Sequence, residues 1–252
     1  MRDLVTLALH TVKSLVRDKI LYNVLFVGLF LLLVGYWAAL LVFGHQDRVM
    51  IHLGMAANSL TLLSIAVTSG ARIITQERES RLLYLILSKP ISRVNYWLGK
   101  LVGIGLFLAL NLVLLMTVMA LGVYQAGGQW NLGFVQGATL LWVEAWMMCS
   151  FTLWVSLWLS SAVSVMAALS FVFIAHNHEQ IEFVTKQNGG LSSALKGLSY
   201  LIPRSDQFML DTRIYYDLPV RSAEWGMRFG YGLIWVAIFI LLGNATFYRK
   251  NL

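Results

Sequence analysis

Six runs of apolar residues constrain this chain more than any other feature. A helix needs about 20 predominantly apolar residues to cross a bilayer. The runs at 21–43, 50–75, 96–124, 134–159 and 229–247 reach that length, and a sixth, at 162–175, is short. Of the 252 residues, 58% are hydrophobic and 12% are charged. A soluble domain averages about 45–50% apolar and about 25% charged residues, so a soluble all-helical core is set aside. With only three prolines, the chain suits long uninterrupted helices. The expected fold is an all-α membrane protein of six transmembrane helices, forming one domain over 1–252.

The segment ahead of the first run differs. Leu4, Leu7, Val12, Leu15 and Val16 recur near helical spacing, interrupted by Arg2, Lys13, Arg17 and Lys19. That pattern predicts an amphipathic helix over 1–19 lying in the membrane surface; a plain extension of the first span is the alternative. No cleavable leader is expected, because charges are scattered through this segment rather than placed ahead of an apolar core.

Orientation follows from Lys and Arg beside the short flanks. Arg72, Arg78, Arg81, Lys89, Arg93, Lys100, Arg249 and Lys250 fall on the side of the N-terminus. Both termini are therefore expected in the cytoplasm. The same rule accounts for the net charge of +7, and nucleic acid is not expected as a partner. The long connection at 176–228 carries balanced charge and ordered-looking aromatic stretches. It is expected to form an external cap of short helices, with a dip back into the membrane left open.

Few residues point to chemistry. The P-loop pattern G-x-x-x-x-G-K-[ST] has one superficial echo, Gly99-Lys100, which lacks the upstream glycine and the following Ser or Thr. No ATPase is expected in this chain, and no cofactor. The pair of histidines in "HNHE" (His176 to Glu179) points to different faces of a helix, and no metal site is expected. Cys149 lies in an apolar span and suits packing. Trp142, Trp146, Trp154 and Trp158 recur at helical spacing, facing lipid, another helix or a hydrophobic substrate. Glu144 lies well inside the fourth span. A carboxylate there is costly, so Glu144 is a candidate for the cargo path or for an interface that ties helices or subunits together.

The remaining anomaly is "ITQERESRLLYLILSKPISR", residues 74–93. Glu77 and Arg81 are four apart and can pair on one helical face. Leu82, Leu83 and Leu85 supply apolar surface. Pro90 disfavours helix at Lys89. A short helix over 76–90, held at the membrane surface between spans 2 and 3, is expected to dock a cytoplasmic partner.

This stretch, extended as "ERESRLLYLILSKPISRVNYWLGKLVG", resembles the segment linking the second and third spans in permease subunits of type-2 ABC exporters. The terminal "FYRKNL" resembles the basic aromatic tail that ends many such permeases. The resemblance implies that 76–90 is the coupling helix, with Glu77, Arg78, Glu79, Arg81, Leu82, Leu83 and Leu85 matching the segment that seats in a separate ATPase subunit. It further implies two permease chains (a homodimer or a related pair) with two cytoplasmic ATPase subunits, in a bacterial inner membrane. The expected function is the membrane half of an ATP-driven exporter of unidentified substrate. A membrane anchor or assembly subunit without transport of its own is the alternative.

Overall fold

The computed structural model describes residues 2–42, 44–80, 92–129, 131–178, 180, 183, 202–209 and 221–249. Those residues form helices and turns, with no strand among them. In chain order they are α1 (Arg2–Val16), α2 (Lys19–Leu40), α3 (Gln46–Glu79), α4 (Arg93–Gln125), α5 (Leu132–Val155), α6 (Ser161–His176), a 3-10 turn (Ser205–Phe208) and α7 (Ser222–Arg249).

Five of these, α2, α3, α4, α5 and α7, are long and apolar enough to cross a membrane. The sixth predicted span, α6, has 16 residues. At 1.5 Å per residue it reaches about 24 Å, short of a hydrocarbon core of about 30 Å. By length alone the described residues hold five helices able to span and two shorter apolar helices, α1 and α6.

The helices α3 and α4 overrun their predicted spans. With 34 and 33 residues, each extends about 50 Å. For α3 the excess includes Gln76 to Glu79, which continue the helix because Gln, Glu and Arg are good helix formers. The helix stops at Ser80, whose hydroxyl bonds back to the Gln76 carbonyl at 2.7 Å. The helix α4 starts at a sequence-encoded cap, where the Ser92 hydroxyl accepts from the Asn95 amide at 3.2 Å.

The N-terminal segment is a separate helix. The chain turns at Arg17 and Asp18, whose amides bond to the Ser14 and Leu15 carbonyls, and α2 begins anew. A plain extension of the first span is thereby excluded. The buried face of α1 carries Ala8, Thr11 and Leu15, and it rests on α4.

The interior is formed by α3, α4 and α5, with α2 against α3 and α7 against α5. The outward faces of α2, α6 and α7 carry large exposed apolar residues such as Phe26, Trp37, Phe173 and Leu241. That is the expected surface for helices whose solvent is lipid. Leu7 of α1 touches Gly99 of α4, and Trp97 of α4 touches Gly243 near the end of α7. Both termini of the described chain, the end of α3 and the start of α4 therefore sit at one end of the bundle. Asp47 and Gly128 meet at the other.

Candidate functional site

Two polar clusters interrupt the apolar interior. The first lies at the neck where the end of α3 meets the start of α4. Glu77, in the last turn of α3, faces α4 rather than running outward with its helix. Its Oε2 accepts from the Tyr96 hydroxyl and its Oε1 from the Lys100 ammonium. Lys100 is 1% exposed, and its Nζ sits 5.6 Å from the centre of the Tyr96 ring. Tyr96 and Lys100 are four apart on α4, so one helical face presents both.

The other predicted coupling residues divide between described and undescribed positions. Arg78 is half-buried and Glu79 is exposed, both on the last turn of α3. Arg81, Leu82, Leu83 and Leu85 lie outside the described residues, as do Lys89 and Pro90. The expected short helix over 76–90 is thus seen only at its first residues, which belong to α3. Beside the neck a polar cleft of about 420 Å³ opens between α1 and α3, lined by His10, Ser14, Asp18, Arg72 and Glu79 among others. Arg72 and Asp18 approach to 4.0 Å across it.

Sequence reasoning placed Lys100 among the cytoplasmic flank charges and missed its partnership with Tyr96 and Glu77. The legible signal was a lysine one turn inside an apolar span, where a cation is costly unless paired.

The second cluster surrounds Glu144 in the middle of α5. Glu144 is 1% exposed. Its Oε1 lies 3.3 Å from His176 Nε2 at the end of α6, and the buried Ser205 hydroxyl faces the same carboxylate. Burying a carboxyl group is expensive unless it is paired or hydrogen-bonded, and His176 lies beside this one. His176 Nδ1 in turn sits 3.1 Å from the Val172 carbonyl.

Ser205 arrives on a segment, 202–209, that returns from the long connection into the bundle. Phe208 is fully buried against Gly232; a Cβ at Gly232 would stand 2.9 Å from the Phe208 ring. The segment is pinned to α7 at two points. The Arg204 amide donates to the Tyr231 hydroxyl at 3.0 Å, and Arg228 donates to the Gln207 carbonyl at 2.8 Å. This part of the connection dips back into the bundle, between α5, α6 and α7.

Among the described residues, no group of three or more His, Cys, Asp or Glu is arranged to hold a metal ion. Glu179 of the "HNHE" motif lies outside them. The tryptophan stripe is internal for most of its length. Trp142 and Trp146 donate to the Gly105 and Leu101 carbonyls at 2.8 and 3.0 Å, and Trp154 donates to Thr246 at 3.1 Å. An indole N–H in an apolar bundle needs such an acceptor. Trp158 alone of the four is largely exposed. Cys149 is buried, 4.0 Å from the Ser69 hydroxyl.

No curated protein matches the chain. A family model does: that of the ABC-2 family transporter proteins matches residues 59–252, well over half of the sequence, and it takes in both polar clusters. Membership implies a multi-pass membrane permease subunit of an ABC transporter, associated with an ABC ATPase partner. The chain belongs to the ABC-2 transporter family.

Proposed function

We propose that this chain is the membrane-spanning half of an ATP-driven exporter, and that segment 76–90 is its coupling helix. The observation that carries the reading is the way the helices on either side of that segment are joined. The two longest described helices, α3 and α4, are fastened to each other by the Glu77–Lys100 pair in the last turn of α3, and the charged stretch follows α3 directly in sequence. A connection that only joined two spans would not need both helices extended and fastened at its base.

In this reading Leu82, Leu83 and Leu85 supply burial against the ATPase, while Arg78, Glu79 and Arg81 set its orientation. Glu77 has its carboxylate engaged within the chain and contributes from the inside. The transporter comprises two copies of this chain and two ATPase subunits in a bacterial inner membrane. Six spans, with α6 crossing the remaining distance by way of its polar flanks, place both termini in the cytoplasm. The support for that orientation is the Lys and Arg content of the sequence beside those span ends. Glu144 holds the returning segment 202–209 beside the cargo route.

The test is purification of the tagged chain from its native membranes in a mild detergent. The exporter reading expects a P-loop ATPase in the complex and ATP hydrolysis by it. A stable complex lacking any ATPase sinks the exporter reading and leaves the anchor.

A further inference from the structure

Glu77, Tyr96 and Lys100 join α3 to α4 by more than apolar contact. Glu77 takes the Tyr96 hydroxyl on one carboxylate oxygen and the Lys100 ammonium on the other. The side chain of Lys100 is 1% exposed and that of Glu77 13%. A buried ion pair adds little net stability, because desolvation offsets the attraction; a leucine pair would hold two helices as well. What the charged triad supplies is register. A slip of either helix by one turn, about 5.4 Å, leaves both charges buried without partners, and that is strongly unfavourable.

The same turns of α4 also carry two other helices at close range. A Cβ at Gly99 would stand 2.7 Å from the Leu7 Cβ of α1, and one at Gly103 would stand 2.6 Å from the Thr11 Cβ. On the other side, Trp97 is wholly buried and fills the space that a side chain at Gly243 of α7 would need. Interiors packed this closely pass displacement on rather than absorb it. The neck is therefore a junction of α1, α3, α4 and α7, with the ion pair at its base.

The geometry points to Glu77, Tyr96 and Lys100 as a positioning clasp that makes the inner ends of α3 and α4 move as one body. Displacement applied to segment 81–91 is then delivered to the spans, and through α4 to α1 and α7, instead of spreading the neck. This inference rests on the proposed coupling role of that segment. The clasp itself need not touch the ATPase.

The test uses the chain in nanodiscs with the ATPase subunit that co-purifies with the wild-type chain. Lys100→Gln and Glu77→Gln each break the clasp. The double Glu77→Lys/Lys100→Glu rebuilds it with the charges exchanged, and the double Glu77→Leu/Lys100→Met removes both charges without leaving either buried alone. Three quantities are read: the ATPase retained in pull-down, the hydrolysis rate in the complex relative to the free ATPase subunit, and the spread of distances between spin labels at Gln76→Cys and Val94→Cys. Both label positions are exposed, and the native Cys149 is buried.

The clasp predicts unchanged pull-down for Lys100→Gln and Glu77→Gln. It predicts a broadened label distance, and a change in relative hydrolysis of about fivefold or more toward the free-subunit rate, the low end of ordinary coupling between sites. The charge-exchanged double recovers both. Single variants that bind, couple and hold the narrow distance like wild type overturn the inference. If the singles fail to insert, the apolar double decides: normal coupling in it overturns the inference, and uncoupling with intact pull-down supports it. A wild-type chain that captures no ATPase overturns the coupling reading itself, which is a distinct result.

Discussion

His176 Nε2 lies 3.3 Å from Glu144 Oε1, and this contact ties the middle of α5 to the end of α6, where segment 202–209 re-enters the bundle. His176→Ala removes the imidazole that lies beside a wholly buried carboxyl group. The expected loss is about 1–3 kcal/mol, read as a lower thermal midpoint of the purified chain. Glu144→Leu removes the carboxylate together with its need for a partner, so its stability stays closer to wild type. If Glu144→Leu is stable and transport is lost, the carboxylate acts on the cargo path. If both are retained, Glu144 has no charge-dependent role.

Gly243 and Trp97 set the distance between α7 and α4. A Cβ at Gly243 overlaps the Trp97 ring, whereas one at Gly226 of the same helix meets nothing within 4 Å. Gly243→Val is therefore expected to cost about 1–3 kcal/mol through overpacking. Gly226→Ala is expected to be neutral or to stabilise by up to about 1 kcal/mol, since Ala is the better helix former. Equal effects of the two changes, measured by thermal unfolding in one detergent, contradict the close approach.

Trp146 gives its indole N–H to the Leu101 carbonyl at 3.0 Å. Trp146→Phe keeps an aromatic ring and drops that bond. Polar bonds between membrane helices average about 0.6 kcal/mol, so a small loss of stability is expected. A transport defect with no stability change would instead point to cargo contact along this stripe.

Much of the fold was readable from hydropathy because lipid demands unbroken apolar length. All five long spans and the short sixth segment were found, and so was the separate N-terminal helix. Their ends were less legible. The continuation of α3 through Glu79 depends on helix propensity in water, beyond the hydrocarbon that set the predicted boundary. The contacts of Glu77 with the next helix were not legible for a related reason. Local spacing offers only Arg81, which lies outside the described residues, while Lys100 and Tyr96 come from α4. Glu144 stood out in the sequence, since any carboxylate in a span does. His176 was noticed only as half of a histidine pair, and Ser205 not at all, because a segment returning from a long connection leaves no periodic trace.

Topology is open to direct measurement. Cys149 is the only cysteine and is buried, so a membrane-impermeant thiol reagent has little background. Arg81→Cys is expected to label only from the cytoplasmic side and Lys196→Cys only from the opposite side. Labelling of both from one side contradicts the six-span arrangement.

The most direct test of the central claim is capture of the ATPase by variants of the charged stretch. Exposed ion pairs are worth only about 0–1 kcal/mol, whereas a fully buried leucine contributes about 1.5–3 kcal/mol. Leu82→Asp and Leu83→Asp are therefore expected to release the ATPase in pull-down, or to abolish coupled hydrolysis in nanodiscs, while the chain remains inserted. Arg78→Ala is expected to change affinity far less. If both aspartate variants hold the ATPase and turn over like wild type, residues 76–90 are not the coupling helix.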